Sequence, residues 1–502
     1  MKISFLSNNI NLKAVSVFRS GFSLLCVAIG CLLYQNSSAQ SKNPVHLIYD
    51  ADSLKADLMD LKEVLFTSHE NPFYYIDSLE FEAEFKRRYD SITEDISLAD
   101  FSLIVGGLLQ RLKDSHTTLN YGSLFNYMKA DSILNFNFRG MMVKDQFIIT
   151  EDKEGFIPKG AELISVNRID IKSYMDSIPE YKFLEGNSYY QSNVILSGMI
   201  LRTLTMRYGV KPTNEVVYVN GGDTTTVNYP GIPFKQIRKA KTEKRHPYKL
   251  TFTDGVAFLK VGSFSAKSEN KYSRFLRNSF KKIKRKKVDS LVIDLRYNLG
   301  GSVWRMEDLF TYLDGPDVLS PYSISLVKSD LSQRKYTKLL KGPFGWARMN
   351  LFQKNDKMRA FRQMALLPVG ARDTVFYKDV FPKKRYAFTG EKHLFMNFAS
   401  GSASVMFAGM FDMLDLGNTY GTPCLGPYGG TWGDPTPYTM PRSKLKLSIA
   451  VLRLSSTSEY LTSPESIQPD FRYEPTKEDI SSETDGLKKA FLDGEFSKPK
   501  GE

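Results

Sequence analysis

Ser402 stands at a point in the sequence where a hydroxyl group could act as a nucleophile. Residues 392–396 predict a strand, residues 397–404 are rich in serine and small residues, and residues 405–414 predict an apolar helix. A hydroxyl at a strand-to-helix turn lies at the positive end of the helix dipole, which stabilises an alkoxide and then an oxyanion. A serine at such a position is more often a simple helix cap. Other residues must therefore decide between the two interpretations.

A glycine-rich turn about a hundred residues earlier could supply the groups that bind an oxyanion. Residues 290–295 form an apolar run that predicts a buried strand, and Asn298, Gly300 and Gly301 follow before helical spacing resumes. Glycines let the backbone approach a ligand closely, and its N–H groups can point at a developing negative charge. The succession of strand, turn and helix predicts an α/β unit.

Taken together, the two segments resemble the C-terminal-processing peptidase family. Residues 294–301, DLRYNLGG, are similar to the signature strand of that family, and residues 402–404, SAS, are similar to its Ser-Ala-Ser-Glu, with Val405 in place of the glutamate. The resemblance covers roughly residues 255–473. It implies a ClpP/crotonase-like α/β core in which Ser402 attacks the substrate. The oxyanion would be held by the N–H of Ala403 and by one N–H of the turn at Gly300 and Gly301.

A serine hydroxyl is a weak nucleophile without an adjacent base, so the base decides the branch of the family. Pro427 stands where the bacterial processing peptidases carry their lysine. The tricorn-type branch instead takes a histidine from an Asp-Ser-His string at the end of an earlier domain, and residues 114–116 match that string. The resemblance therefore implies His116 as general base, with Ser115 hydrogen-bonded within the site. We expect the domain that carries His116 to pack over the mouth of the core.

The acid that orients the histidine is harder to place. In the family it lies shortly before a Pro-Asp pair, which is Pro469 and Asp470 here, but Ser463 occupies the matching position and Glu459 and Glu465 lie near it. We predict Glu465 as the substitute, and an exposed loop carboxylate is the alternative interpretation of the same residue. Metallopeptidase chemistry is not indicated, because residues 69–72, HENP, lack the second histidine of a zinc helix and contain a proline. We expect neither a metal nor a cofactor.

Further elements must position these residues, and the sequence predicts a multidomain α/β protein. Residues 40–122 show helical spacing of apolar residues and carry His116, residues 123–240 contain short β runs, and residues 245–475 form the catalytic core, followed by a tail at 476–502. Part of the second region resembles a PDZ-like module, with Arg168 in place of a turn glycine. One predicted helix begins at Ser97 as its N-cap. The apolar residues that define the predicted N-terminal helices are Leu54, Leu58, Leu61, Leu65, Phe81, Phe85, Tyr89, Phe101, Ile104, Leu108 and Leu112.

Residues 1–39 read as a signal peptide. A basic start is followed by an apolar run at residues 22–33, and the small residues Ser37 and Ala39 suit cleavage after Ala39. This predicts an exported protein, periplasmic or extracellular, without a membrane span once the leader is removed. A lipoprotein acylated at Cys31 and an uncleaved anchor are the alternatives. Of three cysteines, only Cys424 would remain, so we expect no internal disulfide.

Composition limits the possible partners. The chain has 502 residues, of which 42% are hydrophobic and 25% charged, as is usual for folded multidomain proteins. The net charge of +13 is partly concentrated at residues 281–287, where six cations read as a solvated helix end, with an anionic partner as the alternative. No nucleic-acid motif accompanies them, so we expect no nucleic-acid partner.

Three functions remain open on the sequence. The first is an exported serine peptidase that hydrolyses peptides or unfolded protein tails through an acyl-enzyme. The second is a catalytically degraded homologue that binds peptides, which Pro427, Val405 and the unplaced acid would explain. The third is a hydrolase of another acyl substrate on the same core.

Overall fold

The computed structural model describes residues 47–129, 133–178, 184–237, 247–265, 269–314, 322–333, 362–376, 383–482 and 484–496. Their elements form an N-terminal helical region, a β-rich module and an α/β core, so the chain has the multidomain α/β fold that the sequence predicts. The predicted leader, residues 1–39, lies outside the described residues. Within the described part of the chain, no helix is long and apolar enough to cross a membrane.

The helices of the N-terminal region begin at capping side chains. Asp50, Asp77 and Ser97 each accept a backbone N–H from the first turn of the helix that follows, which satisfies donors that a helix leaves without a partner. Phe81 and Phe101 are fully buried, as are the four leucines predicted on the first helix. The elements are β1 (Ile48–Tyr49), α1 (Ala51–Ser68), α2 (Ser78–Asp90), β2 (Ile96–Ser97), α3 (Leu98–Arg111), β3 (Thr118–Leu119) and α4 (Tyr121–Asn126).

The β-rich module is an antiparallel sheet flanked by helices. Its elements are β4 (Leu134–Asn135), β5 (Phe138–Val143), β6 (Gln146–Asp152), β7 (Glu162–Val166), β8 (Ile169–Asp170), α5 (Ile171–Ser177), α6 (Tyr189–Ser197), α7 (Ile200–Tyr208), β9 (Thr213–Asn220), β10 (Asp223–Pro230) and β11 (Ile232–Pro233). The main sheet has the order β10-β9-β7-β6-β5, and β8 pairs with β7. Asn167 and Arg168 form the two-residue turn between β7 and β8, both with positive φ. Arg168 therefore adopts a left-handed conformation that a glycine adopts without strain.

The α/β core contains a mainly parallel sheet that brings the two candidate turns together. Its elements are β12 (Tyr248–Thr253), β13 (Val256–Val261), α8 (Glu269–Lys286), β14 (Ser290–Asp294), α9 (Val303–Phe310), β17 (Glu391–Met396), α10 (Ala403–Met413), β18 (Asn418–Gly421) and β21 (Phe471–Arg472). The order is β12-β13-β14-β17-β18-β21, with only β12 antiparallel to its neighbour. The turn at Gly300 follows β14 and the turn at Ser402 follows β17. Because the carboxyl ends of neighbouring parallel strands lie at the same edge of a sheet, these turns meet.

A second sheet places the N-terminal region next to the edge of the core sheet where the two turns meet. It contains β15 (Tyr322–Val327), β16 (Arg372–Phe376), β19 (Gly430–Thr439) and β20 (Lys446–Ser456) in the order β16-β15-β20-β19. The short strand β3 pairs antiparallel with β20, with Leu119 opposite Leu447 and Thr118 opposite Ser448. This pairing fixes the chain just after His116 against the core.

The hydrophobic core extends across the predicted domain boundary at residue 122. One continuous cluster joins apolar residues of the N-terminal helices and the β-rich sheet, and it includes Leu447 and Ile449 of β20. A second cluster lies in the α/β core around α10. The helical region is therefore packed against both of the other parts of the chain, which restricts its movement relative to Ser402.

Two predicted surface segments differ in how they pack. At the end of α8, Phe280 and Ile283 are buried while the six cations of residues 281–287 are exposed, which is a solvated helix end. The predicted tail instead contains two further helices, α11 (Lys477–Ser482) and α12 (Gly486–Leu492). Leu487 of α12 is buried against the face of the core sheet that also carries Phe395. Apolar burial thus orders a segment whose sequence is mostly polar.

Candidate active site

Ser402 has the backbone conformation of a strained turn. It is the N-cap of α10 with φ of 52° and ψ of −120°, a region that non-glycine residues rarely occupy. The turn is held on both sides, because the Gly401 N–H donates to Asn298 O and the Leu425 N–H donates to Ser400 O. The fold therefore fixes the Ser402 side chain at the start of the helix instead of leaving it as an ordinary cap.

His116 lies in the turn just before β3 and contacts Ser402 from the N-terminal region. Its Nε2 lies 3.2 Å from Ser402 Oγ, within hydrogen-bonding range, and its side chain is 16% exposed. The neighbouring Thr117 is anchored by its Oγ1, which accepts the Ala450 N–H at 2.9 Å. The structure thus brings together the two residues that the resemblance implied as base and nucleophile, although they lie 286 positions apart.

Ser115 links the other ring nitrogen of His116 to a carboxylate. Ser115 Oγ donates to Glu185 Oε2 at 2.6 Å and lies 3.3 Å from His116 Nδ1. The single hydroxyl proton is used on Glu185, so Ser115 Oγ must accept at its other contact, and Nδ1 of the neutral ring carries the proton. Nε2 is then the acceptor that faces Ser402 Oγ.

Glu185 is a buried carboxylate with a full set of donors. It is 1% exposed. Besides the Ser115 hydroxyl, it accepts the backbone N–H groups of Ser115 and Trp432 and the Thr431 hydroxyl. Its Oε2 also lies 3.5 Å from His116 Nδ1. A buried carboxylate is stable when its oxygens are hydrogen-bonded in this way.

The prediction of Glu465 as the orienting acid is not supported by this geometry. Glu465 Oε1 accepts a hydrogen bond from the side chain of Asn187, and no contact joins it to His116 in the described part of the chain. The carboxylates that face His116 are Asp114 and Glu185. Glu185 comes from the segment before α6, so the β-rich module occupies the place where the family pattern led us to expect a core residue.

Asp114 is the second carboxylate beside His116. Its Oδ1 accepts the His116 backbone N–H at 2.8 Å and lies 3.7 Å from His116 Nδ1, while its Oδ2 lies 2.9 Å from His69 Nε2. Burial raises the pKa of Asp114, but the contacts with His116 and His69 outweigh burial and hold that pKa well below its usual range. Asp114 is therefore a buried negative charge next to the candidate base.

The two carboxylates change the proton affinity of His116. Burial alone lowers the pKa of His116, whereas hydrogen bonds and charges from Asp114 and Glu185 raise it, and the net effect is a pKa of about 10. The unperturbed value is 6.5. The site therefore stabilises the imidazolium, the form that a general base reaches after it has taken the serine proton.

The predicted oxyanion donors behave differently from one another. Gly300 N–H donates to Asn298 Oδ1 at 2.9 Å and is engaged, so Gly300 is not a donor to substrate. The N–H groups of Gly301 and Ala403 have no hydrogen-bond partner among the described residues. Gly300 matters because it has no side chain: a Cβ there would lie 2.7 Å from Ser402 Cβ and 2.9 Å from Ala403 N, too close for either atom.

A cavity of about 450 Å³ opens beside Ser402 and His116. Gly301, Trp432 and Asp434 lie at its wall. The rest of its lining is largely apolar and includes Val303, Trp304, Ile324, Leu326, Met364, Leu452 and Leu454. An apolar cavity next to a nucleophile can bind an apolar side chain of a substrate.

The residues around His116 also have the composition of a metal site. Asp114, His116 and Glu185 each offer a ligand atom, and these atoms lie within 4.8 Å of one another. The carboxylate oxygens are, however, already used as acceptors for His69, Ser115 and Trp432. The geometry is that of a hydrogen-bond network around an imidazole.

Sequence reasoning missed Glu185 and His69. Glu185 precedes α6 in a stretch, EGNS, that carries no catalytic pattern, and His69 was considered only as half of a zinc motif. The signal that could have found them is that a buried carboxylate or histidine needs a polar partner, but the sequence of these short segments does not show that the two residues are buried. Both residues reach the site through contacts between segments distant in sequence.

Comparisons with known proteins agree with the core assignment. Residues 255–473 match the model of peptidase family S41. Among solved structures, a point mutant of CPAF is 12% identical, with a TM-score of 0.61, and the match covers 88% of this chain and 96% of that one. Mature CPAF complexed with lactacystin is 13% identical, with a TM-score of 0.61 and coverage of 88% and 97%. At these identities the likeness shows the fold. A comparison with curated proteins finds no match.

The family match covers both turns of the core, and the fold of the CPAF structures extends over most of the chain. The segment that matches the family model, residues 255–473, contains Ser402, Gly301 and Ala403. Residues 255–473 accordingly form the core that matches peptidase family S41, the C-terminal-processing peptidases, and the protein is a serine-type peptidase that acts on a peptide or protein substrate.

Proposed function

We propose that this chain is an exported serine peptidase that cleaves peptides or unfolded protein tails through an acyl-enzyme, with Ser402 as nucleophile and His116 as general base. The contact of 3.2 Å between His116 Nε2 and Ser402 Oγ carries this proposal. The network behind His116 supports it, because an oriented imidazole is what a serine hydroxyl needs for activation.

The proposed reaction begins with proton transfer from Ser402 Oγ to His116 Nε2 as Oγ attacks the carbonyl carbon. The Gly301 and Ala403 N–H groups donate to the resulting oxyanion. The C–N bond then breaks, His116 returns the proton to the leaving amine, and an acyl-serine remains. A water molecule gives a proton to His116 Nε2 as it attacks the acyl carbon; the bond from that carbon to Ser402 Oγ then breaks, and His116 returns the proton to Oγ as the acid product leaves.

Ser115 and Glu185 orient the base in this scheme. The Nδ1–H of His116 donates to Ser115 Oγ, whose own proton is held by Glu185. This keeps Nε2 directed at Ser402. When Nε2 takes the proton, the ring becomes positive beside two carboxylates, and their charges stabilise it.

The cavity suggests which substrates suit the site. Its apolar lining favours a bulky apolar side chain next to the scissile bond, because burial of such a side chain contributes roughly 1.5–3 kcal/mol. The cleft lies where the N-terminal region, the β-rich module and the core meet, and all three contribute to the walls or to the network behind them. An extended segment fits such a cleft more readily than a folded surface does, which favours peptides and unfolded tails.

Export is part of the proposal and rests on the leader-like pattern of residues 1–39. We expect the mature protein to begin at Gln40 and to be found outside the cytoplasm. N-terminal sequencing of the native protein tests this. An intact Met1 would contradict export by cleavage, and an acylated Cys31 would replace it with a lipoprotein.

The catalytic proposal is tested with a serine-reactive fluorophosphonate and a peptide library. We expect the purified protein to be labelled at Ser402 and to cleave peptides with apolar side chains, and Ser402→Ala to lose both properties while remaining folded. If peptides bind but neither wild type nor variant turns them over, the protein is the degraded homologue. If esters but no peptides are cleaved, it is a hydrolase of another acyl substrate.

A further inference from the structure

His69 lies behind the catalytic network in a position that the proposed mechanism does not use. Its Nε2 lies 2.9 Å from Asp114 Oδ2, and both side chains have no exposed surface. Two ionisable groups buried together are costly unless each satisfies the other. The pair therefore needs an explanation.

The hydrogen bonds around His69 assign its tautomer. The Asn71 N–H points at His69 Nδ1 at a distance of 3.2 Å, so Nδ1 is an acceptor. A neutral ring with an acceptor at Nδ1 carries its proton at Nε2, and that proton is donated to Asp114. His69 is thus a fixed donor to one oxygen of the carboxylate.

The ring is held in place by packing. It lies 4.4 Å, centroid to centroid, from the ring of Trp432, and the backbone N–H of Trp432 donates to Glu185. The His69 carbonyl accepts a hydrogen bond from the Arg372 side chain. The charged groups around this region are Asp114, Glu70, Arg372 and Arg453. Of these, Asp114 is the one that contacts both His69 and His116.

Asp114 passes the constraint on to the candidate base. One of its oxygens is occupied by His69 and the other accepts the His116 backbone N–H. If the His69 proton were absent, Asp114 Oδ2 would be buried without that donor, and the pKa of Asp114 would rise. The carboxylate could then rotate or take up a proton, and His116 would lose both a backbone anchor and a nearby charge.

We propose that His69 is a positioning residue of the active site, which holds Asp114 as an oriented carboxylate and so fixes the place of His116 beside Ser402. This inference rests on the proposed function of His116 as general base. It predicts that a residue with no contact to substrate or to Ser402 controls how the nucleophile responds to pH.

The test uses His69→Phe and His69→Gln. Phenylalanine keeps an aromatic ring against Trp432 but removes the donor, whereas glutamine can place an N–H near the position of Nε2. At alkaline pH, where His116 is neutral in both proteins, we expect His69→Phe to slow fluorophosphonate labelling of Ser402 by roughly tenfold or more, since oriented general bases contribute about 10²–10⁴-fold. We also expect its pH profile to shift to lower pH, because the charge next to His116 is weakened. His69→Gln should restore most of the rate and the profile.

His393→Phe is the matched control. His393 is also a largely buried histidine in aromatic surroundings, against Tyr420 and Phe491 in the core sheet, but it makes no contact with the catalytic network among the described residues. Its substitution should lower thermal stability without moving the pH profile. If His69→Phe behaves like this control, or if His69→Gln is as defective as His69→Phe, the positioning role is refuted.

Two measurements keep the outcome clear. If His69→Phe does not fold, His69→Gln and His69→Asn are compared, and the proposal requires the glutamine to exceed the asparagine, which cannot reach Asp114. Titration of the His116 ring proton by NMR in the Ser402→Ala background reports its pKa without turnover, and five histidines make the assignment feasible. Absence of labelling in the wild type would count against the proposed function, whereas an unchanged His116 titration in His69→Phe would refute the positioning role.

Discussion

Ser115 Oγ lies 2.6 Å from Glu185 Oε2, and together with the Ser115 N–H bond to the same oxygen this contact connects the N-terminal region to the β-rich module at the candidate base. The nucleophile comes from the third part of the chain. Each of the three regions therefore supplies at least one member of the network, and the site exists only where all three meet.

The pairing of Ser402 with His116 predicts non-additive losses. Ser402→Ala and His116→Ala should each lower kcat/KM by roughly 10⁴-fold or more, and the double variant should be hardly worse, because the two groups act as one unit. Kinetics of the three variants on one peptide measure this. Ser404→Ala is the control, since it removes a neighbouring buried hydroxyl that has no partner in the described structure, and it should retain activity. Losses that multiply would contradict His116 as base.

Glu185, not Glu465, should orient the base. Glu185→Gln keeps the shape but removes the charge that faces His116 Nδ1, so we expect kcat on the alkaline plateau to fall by roughly 10²-fold or more and the acid limb of the pH profile to move to lower pH. Glu465→Gln, which alters a residue bonded to Asn187, should change neither by more than about twofold, as for most surface substitutions. Equal effects of the two substitutions would refute the assignment.

Activity and stability should have opposite pH dependences in the alkaline range. His116 must be neutral to act as base, so kcat/KM should rise with pH toward the pKa of about 10, instead of reaching its plateau near the unperturbed value of 6.5. Because the folded-state pKa is raised, the stabilising contribution of the charged His116 is complete below 6.5 and is lost as pH rises from there to about 10.

This dependence is checked by measuring the melting temperatures of the wild-type protein and of His116→Gln between pH 6 and pH 10. The difference in melting temperature between the two proteins should shrink across that window. A difference that stays constant, together with an activity profile that reaches its plateau near neutral pH, would show that the carboxylates do not raise the pKa of His116.

Gly300 should be essential because it lacks a side chain, and not because of its N–H group. Gly300→Ala places a methyl group 2.7 Å from Ser402 Cβ at φ of 96°, so activity should fall by at least roughly 10²-fold, as when an oxyanion donor is lost. Gly370→Ala is the control, because Gly370 has φ of 89° but no atom within 4 Å of the added Cβ. Both should lose about 1–2 kcal/mol of stability from the backbone conformation. Only the first should lose catalysis.

Leu452 should limit the side chain that the cavity accepts. Leu452→Trp adds bulk to the wall of the 450 Å³ cavity, so kcat/KM should fall by roughly 10–200-fold for peptides with phenylalanine or leucine before the cleaved bond, the range that hydrophobic pockets show for small changes in fit. Peptides with alanine there should be cleaved at nearly the wild-type rate. A uniform loss for all peptides would mean that the cavity does not bind that side chain.

The elements with strong local patterns could be predicted from the sequence. Ser97 was recognised as an N-cap, and the strands that lead to Gly300 and Ser402 were placed to within a few residues, because capping and apolar periodicity are local properties. The motif around His116 could be recognised for the same reason, because its residues 114–116 are consecutive in the sequence.

The acid could not be predicted, because its position depends on contacts between distant segments. Glu185 meets Ser115 only after the β-rich module has packed against the N-terminal helices, and no spacing in the sequence encodes that contact. The resemblance to the family favoured Glu465, which lies in the expected loop but accepts a hydrogen bond from Asn187. His69 was hidden for the same reason, since its partner Asp114 is 45 residues away.

The two-residue strand β3 has a consequence for when the protein becomes active. It joins β20 through Leu119 and Leu447, which are 328 positions apart (447 − 119). Closing a loop of that length costs more conformational entropy than forming the local contacts within helices and hairpins. Until β3 has paired with β20, this contact does not hold His116 beside Ser402, so we expect hydrolysis only from the completely folded chain.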